Sequence, residues 1–130
     1  MAAANPPATF ADWKKGMTEL AKRSNVVVKL GGQGQDWNYP IGHVGPPTTS
    51  AALAENWKPW IETSIELFGV QRCMFESNFP VDKTTCSYGT IWNAFKRITA
   101  SVSANEKAAL YAGVARKVYR LPVQMASATP

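Results

Sequence analysis

The chain has 130 residues, with 14 Lys and Arg against 9 Asp and Glu, two cysteines, five tryptophans and one histidine. That length suits a single domain, and 45% hydrophobic with 18% charged residues excludes a disordered or collagen-like chain. Two cysteines are too few for a disulfide framework, and with one histidine they cannot complete a four-ligand zinc site.

Residues 1–8 and 122–130, rich in Ala, Pro, Ser and Thr, read as flexible tails around an ordered segment 9–121. Thr9 and Asp12 open a helix in which Phe10, Trp13, Met17, Leu20 and Ala21 recur at helical spacing to about Arg23. Val26, Val27, Val28, Lys29 and Leu30 then form a β-branched run closed by Gly31 and Gly32, a short buried strand of the parallel type. The stretch from Gly31 to Thr49 is too irregular for a simple connection and is expected to be a functional loop. Ser50 caps the next helix, whose stripe runs Leu53, Trp57, Trp60, Ile61, Ser64, Ile65 and Phe68 to a stop at Gly69, with Pro59 expected to kink or split it. A second strand covers Arg72 to Glu76, and Ser77, Asn78, Phe79 and Pro80 lead the chain out of the sheet. A helix from Tyr88 to Ile98 turns Tyr88, Ile91, Trp92 and Phe95 to one side. Ser103 and Glu106 form a capping box for a last helix to about Arg120, with Leu110, Tyr111, Val114 and Val118 inward.

This alternation is that of βα units around a parallel sheet, and two parallel strands alone cannot cover both faces and both edges. The expected class is therefore α/β with an incomplete architecture. No apolar run approaches the roughly 18 residues of a membrane span, and Met1 to Pro7 has no secretory pattern, so a cytoplasmic protein without a membrane partner is expected. Residues 1–82 carry seven basic and eight acidic side chains, a net −1, whereas 83–130 carry seven basic and only Glu106, a net +6. That excess reads as a solvated helical face; a nucleic-acid partner is not expected, because no motif for one accompanies the charge.

Gly32 and Gly34 follow a strand, but the third glycine of a dinucleotide fingerprint would fall on Trp37, which rejects that reading. His43 is either a solvated loop residue or a substrate contact at the mouth of a site. Cys73 reads as a core residue, and the spacing of Trp57 and Trp60 as packing rather than ligand stacking. Lys29 and Glu76 place charges near the C-terminal ends of buried strands, where each needs a partner; the simplest arrangement is an ion pair between them.

The segment Arg72, Cys73, Met74, Phe75, Glu76, Ser77, Asn78, Phe79, Pro80, Val81, Asp82, Lys83 resembles the eighth-strand motif of amidohydrolase-related proteins, predicted metal-dependent hydrolases of the TIM-barrel type that include sugar lactonases. Asn25 to Gly32 is similar to the family's seventh strand, and Trp92 to Ile98 with Tyr119, Arg120 and Leu121 to its C-terminus. The resemblance implies that 9–121 holds the last two βα units of a (β/α)8 barrel, with the site at the C-terminal ends of the strands. It implies hydrolysis of a small lactone, ester or amide by activated water, with Asn78, Glu76 and Asp82 as catalytic residues and Lys29 and His43 as substrate contacts. A divalent metal is implied for the complete barrel and none for this chain alone, because the family's histidine ligands have no counterpart here. Asn78 stands where the family carries an acid, so Glu76 is the preferred base, and Asn78→Asp should preserve or raise activity. The isolated chain is expected to be inactive; the alternative is a noncatalytic protein that assembles with itself or a longer homologue through open sheet edges.

Overall fold

Apolar residues become five α-helices and two β-strands in the described residues, 10–33 and 48–122, of this computed structural model. His43 and the tail residues 1–8 and 123–130 lie outside them. In chain order the main elements are α1 (Phe10–Ala21), β1 (Val28–Leu30), α2 (Ser50–Phe68), β2 (Cys73–Phe75) and α3 (Tyr88–Ile98). A last helical stretch follows as α4 (Ala104–Ala108), a π-helical turn (Ala109–Gly113) and α5 (Val114–Tyr119).

The two strands pair in parallel, with Val28 opposite Cys73, Lys29 opposite Met74 and Leu30 opposite Phe75. Side chains alternate along a strand, so one face carries Leu30, Cys73 and Phe75 and the other Lys29 and Met74. The first face joins Leu53, Trp57, Ile61 and Phe68 of α2 and Ile91, Phe95 and Ile98 of α3 in one core. Phe75 stacks on Phe95 at 4.5 Å between ring centroids and meets Tyr111 at 4.8 Å. Lys29 is exposed, whereas Met74 is buried but stands outside that core cluster.

Several local expectations change in the folded chain. Pro59 does not split α2: it lies on the exposed face together with Glu55, so the carbonyl that lacks a partner is on the solvent side while Leu53, Trp57 and Ile61 hold the buried stripe. Thr49, not Ser50, caps that helix, accepting from Ala52 N, which leaves Ser50 Oγ to accept from Arg97 Nε at 2.9 Å. No residue of α1 is fully buried; Phe10 and Trp13 pack instead on the half-buried Trp60, each centroid at 4.8 Å from it. The Ser103–Glu106 capping box is present, but the helix it opens passes through the π-helical turn, and Val118 ends exposed. Tyr88 is exposed as well, while Ile91 and Phe95 are buried.

The lower end of the sheet is closed by Arg72. Its guanidinium donates to the carbonyls of Ala21, Arg23 and Val26, its Nε to that of Phe68, and it lies over the Phe68 ring. Three of those carbonyls belong to the end of α1 and the turn after it, so one side chain ties α1 to the base of β2.

Candidate active site at the end of the sheet

A tight turn beyond β2 gathers three of the residues that sequence reasoning singled out. Asn78 takes a positive φ of 52°, a conformation that asparagine tolerates better than most residues. This turns its backbone N–H onto the carboxylate of Glu76, with 3.0 Å to Oε2. The chain then passes through a cis Phe79–Pro80 bond into a short 3₁₀ turn, Val81–Thr84. That turn brings Asp82 back under Asn78, whose Nδ2 donates to Asp82 Oδ1 at 2.8 Å while its carbonyl accepts from Asp82 N. Glu76, Asn78 and Asp82 therefore form a hydrogen-bonded series at the C-terminal end of the sheet.

Their surroundings assign them different capacities. Asp82 is 2% exposed and its backbone carbonyl holds the N–H groups of Thr85 and Cys86, so it anchors the turn and fixes the Asn78 amide. Glu76 and Asn78 are half-buried and reachable. On the neighbouring strand, glycine is required opposite Glu76: a Cβ on Gly31 would lie 2.5 Å from the Glu76 carbonyl oxygen and 2.6 Å from its Cγ. Gly32 lies beside the Asn78 side chain, where a Cβ would make only an ordinary contact of 3.6 Å with Nδ2, and it is its positive φ of 77° that calls for glycine. Gly31 thus lets the two strand ends close on each other and Gly32 turns the chain, roles that reading the pair as a strand stop understates. Beyond them, Gln33 Oε1 is buried with no hydrogen-bond partner.

Lys29 is on the same sheet face as Glu76 but does not pair with it; the Glu76 carboxylate accepts from the Asn78 backbone N–H instead. The expected bridge fails because Lys29 is solvated and the Glu76 carboxylate is turned toward Asn78. His43 lies outside the described residues. Burial pushes the Cys86 thiol, beside the turn, up to about 11, and the nearby Asp82 charge adds to this; Cys73 is likewise raised to about 11 by burial, partly offset by Arg72. Both cysteines are free and buried, so neither is a poised nucleophile.

The described residues do not make a metal site by themselves. They contain no group of three or more His, Cys, Asp or Glu that could hold a metal ion. Of the nearby carboxylates, Glu76 has Oε2 on the Asn78 amide and Asp82 is buried against the Asn78 side chain.

Residues 2–121 match the amidohydrolase family model, and this span includes the whole strand-end turn. The chain belongs to the amidohydrolase family. It is 41% identical over 116 residues to the uncharacterised protein y4mH of Sinorhizobium fredii, across 88% of this chain and 35% of that protein. It is 31% identical to the L-fucono-1,5-lactonase of Burkholderia multivorans, across 87% and 36%. Two crystal structures of a Burkholderia multivorans amidohydrolase, one with bound HEPES and one with bound zinc, superpose with a TM-score of 0.72 at 31% identity. They are matched over 86% of this chain and 37% and 38% of theirs. This amidohydrolase chain therefore spans little more than a third of the length of those relatives. No helix among its described residues is long and apolar enough to cross a membrane.

Proposed function

We propose that the chain forms the last two βα units of a (β/α)8 barrel, and that the complete barrel hydrolyses a small lactone, ester or amide. The observation that carries this reading is the Glu76–Asn78–Asp82 series at the C-terminal end of a parallel strand, within a segment that matches a hydrolase family. Barrel enzymes build their sites at that end. The lactonase name of the Burkholderia relative supports a lactone as the first substrate class to test.

In this proposal Glu76 is the general base. It accepts a proton from water as the water oxygen bonds to the substrate carbonyl carbon, and returns that proton to the ring oxygen as the carbon–oxygen bond breaks, leaving a hydroxy acid. Asn78 orients the Glu76 carboxylate through its backbone N–H and offers its side-chain oxygen to the substrate, while Asp82 is a positioning residue that acts through the Asn78 amide. Lys29, with its charge free on the same face, neutralises negative charge on the substrate or on the developing oxyanion. His43 is retained as a substrate contact. A bound zinc in a relative supports a divalent metal in the complete family barrel; its ligands would come from outside the described residues, and no step here runs through it.

The chain alone is proposed to be inactive, since it supplies one end of a site. Residues 10–121 grafted in place of the matched third of the Burkholderia lactonase should hydrolyse L-fucono-1,5-lactone, whereas the isolated chain should not, with or without added divalent metal. An inactive but folded graft would remove the hydrolase reading.

A further inference from the structure

Among the described residues the two strands pair only with each other, and each outer edge already has a helix beside it. α2 packs over both strands, and α3 packs on α2. α1 packs on α2 and runs by a short turn into β1, so it takes the β1 flank; the π-helical turn and α5 pack on β2 and take the other. Both flanks are unfinished. Leu20 and Val27 are exposed on the first, and Val118, Tyr119 and Leu121 on the second. A right-handed crossover helix covers the groove between two neighbouring parallel strands, so each flanking helix marks a groove whose second strand is missing.

We propose that these two flanks receive a partner segment that begins and ends on a bare strand, and not a second copy of this chain. If copies joined edge to edge, α5 of one and α1 of the next would meet over the same groove, where a barrel places one helix. A complete barrel has eight strands and eight helices; setting aside the two strands and the three helical stretches over them leaves six strands joined by five helices. A complement of that size agrees with the length outside the chain, which spans 35% and 36% of its two relatives. On the β2 flank Arg116, Lys117 and Arg120 are exposed, and Glu106 is the last acidic residue of the chain, so the partner surface that meets this flank is acidic. The assignment rests on the barrel reading above and adds to it the form of the partner, which excludes closure by copies of the chain itself.

The test co-expresses the full chain with the Burkholderia lactonase cut just before the segment that matches α1, and in parallel with the same protein cut just after that segment. The first ends on a strand, whereas the second brings its own helix to the place of α1. Sedimentation of the purified material should show a one-to-one complex with the first and binding about tenfold weaker with the second. Leu20→Asp and Leu121→Asp change exposed residues, so they should leave the chain folded and each weaken the first complex by about tenfold. Equal binding of the two cuts, no complex with either, undiminished binding by both Asp variants, or a closed ring of the chain alone would overturn the proposal. The covalent graft reads lactone turnover separately, so an active graft would leave the hydrolase reading standing in each of those cases.

Discussion

An aspartate at position 78 would meet Asp82 carboxylate to carboxylate. From the family motif alone, Asn78→Asp is expected to preserve or improve catalysis, but the 2.8 Å contact from Asn78 Nδ2 to the buried Asp82 changes what that substitution does to the fold. Two carboxyl groups at that distance cannot both ionise, so one keeps its proton and the pair's folded-state pKa rises. A raised folded pKa means that the cost is absent below the ordinary carboxylate range and grows as pH rises through the raised value, by about 1.4 kcal/mol for each unit of the shift. Urea midpoints of the chain and of Asn78→Asp should therefore nearly coincide under acid conditions and separate near neutrality. A deficit that does not vary with pH would contradict this account of the turn. The same contact explains why asparagine serves here: it supplies the donor that a buried carboxylate requires.

At the scale of elements, the docking of α1 hangs on Arg72 more than on α1's own apolar stripe. With no fully buried residue in α1, and three backbone carbonyls after Leu20 held by one guanidinium, Arg72→Ala should cost about 2 to 3 kcal/mol. It should also release amide protection in residues 10–26 before the sheet opens. Arg72→Lys should recover little, because an ammonium cannot reproduce the planar fork; full recovery would show that charge alone is enough. Arg72 was visible in the sequence only as the start of a strand, since a bond to residues 46 to 51 positions away leaves no periodic signature. The helices are legible because their apolar residues repeat at 3.6, the first strand because a β-branched run ends at two glycines, and the last helix because Ser103 with Glu106 is a local signal. The π-helical turn was not: one added residue in a turn is invisible to a repeat of 3.6, and its effect is tertiary, placing Tyr111 against Phe75 and within 3.0 Å of Thr99 Oγ1. Glu76, Asn78 and Asp82 were found through the motif. Their mutual hydrogen bonds depend on the positive φ at Asn78 and the 3₁₀ return of Asp82, which no spacing rule supplies.

For the whole molecule, alkaline stability follows from the buried thiols. Cys73 and Cys86 move from 9.0 to about 11 on folding, and Tyr111 is raised by burial against the opposing bond from Thr99. Groups raised in this way contribute stability that is complete below pH 9 and is lost as pH climbs toward 11. Denaturation midpoints should fall across that window, and Cys86→Ala should flatten the fall. A midpoint independent of pH from 9 to 11 would refute the burial of these groups. The two-stranded sheet leaves each strand with one neighbour among the described residues, which supports the proposal that this chain works as part of a larger barrel. The central claim is that the end of this sheet is the working end of a hydrolase, with Glu76 moving the proton. The direct measurement is lactone turnover by the grafted barrel with Glu76 and with Glu76→Gln. Turnover should fall by roughly 10² to 10⁴, the contribution of a general base. Undiminished turnover in Glu76→Gln would contradict the account.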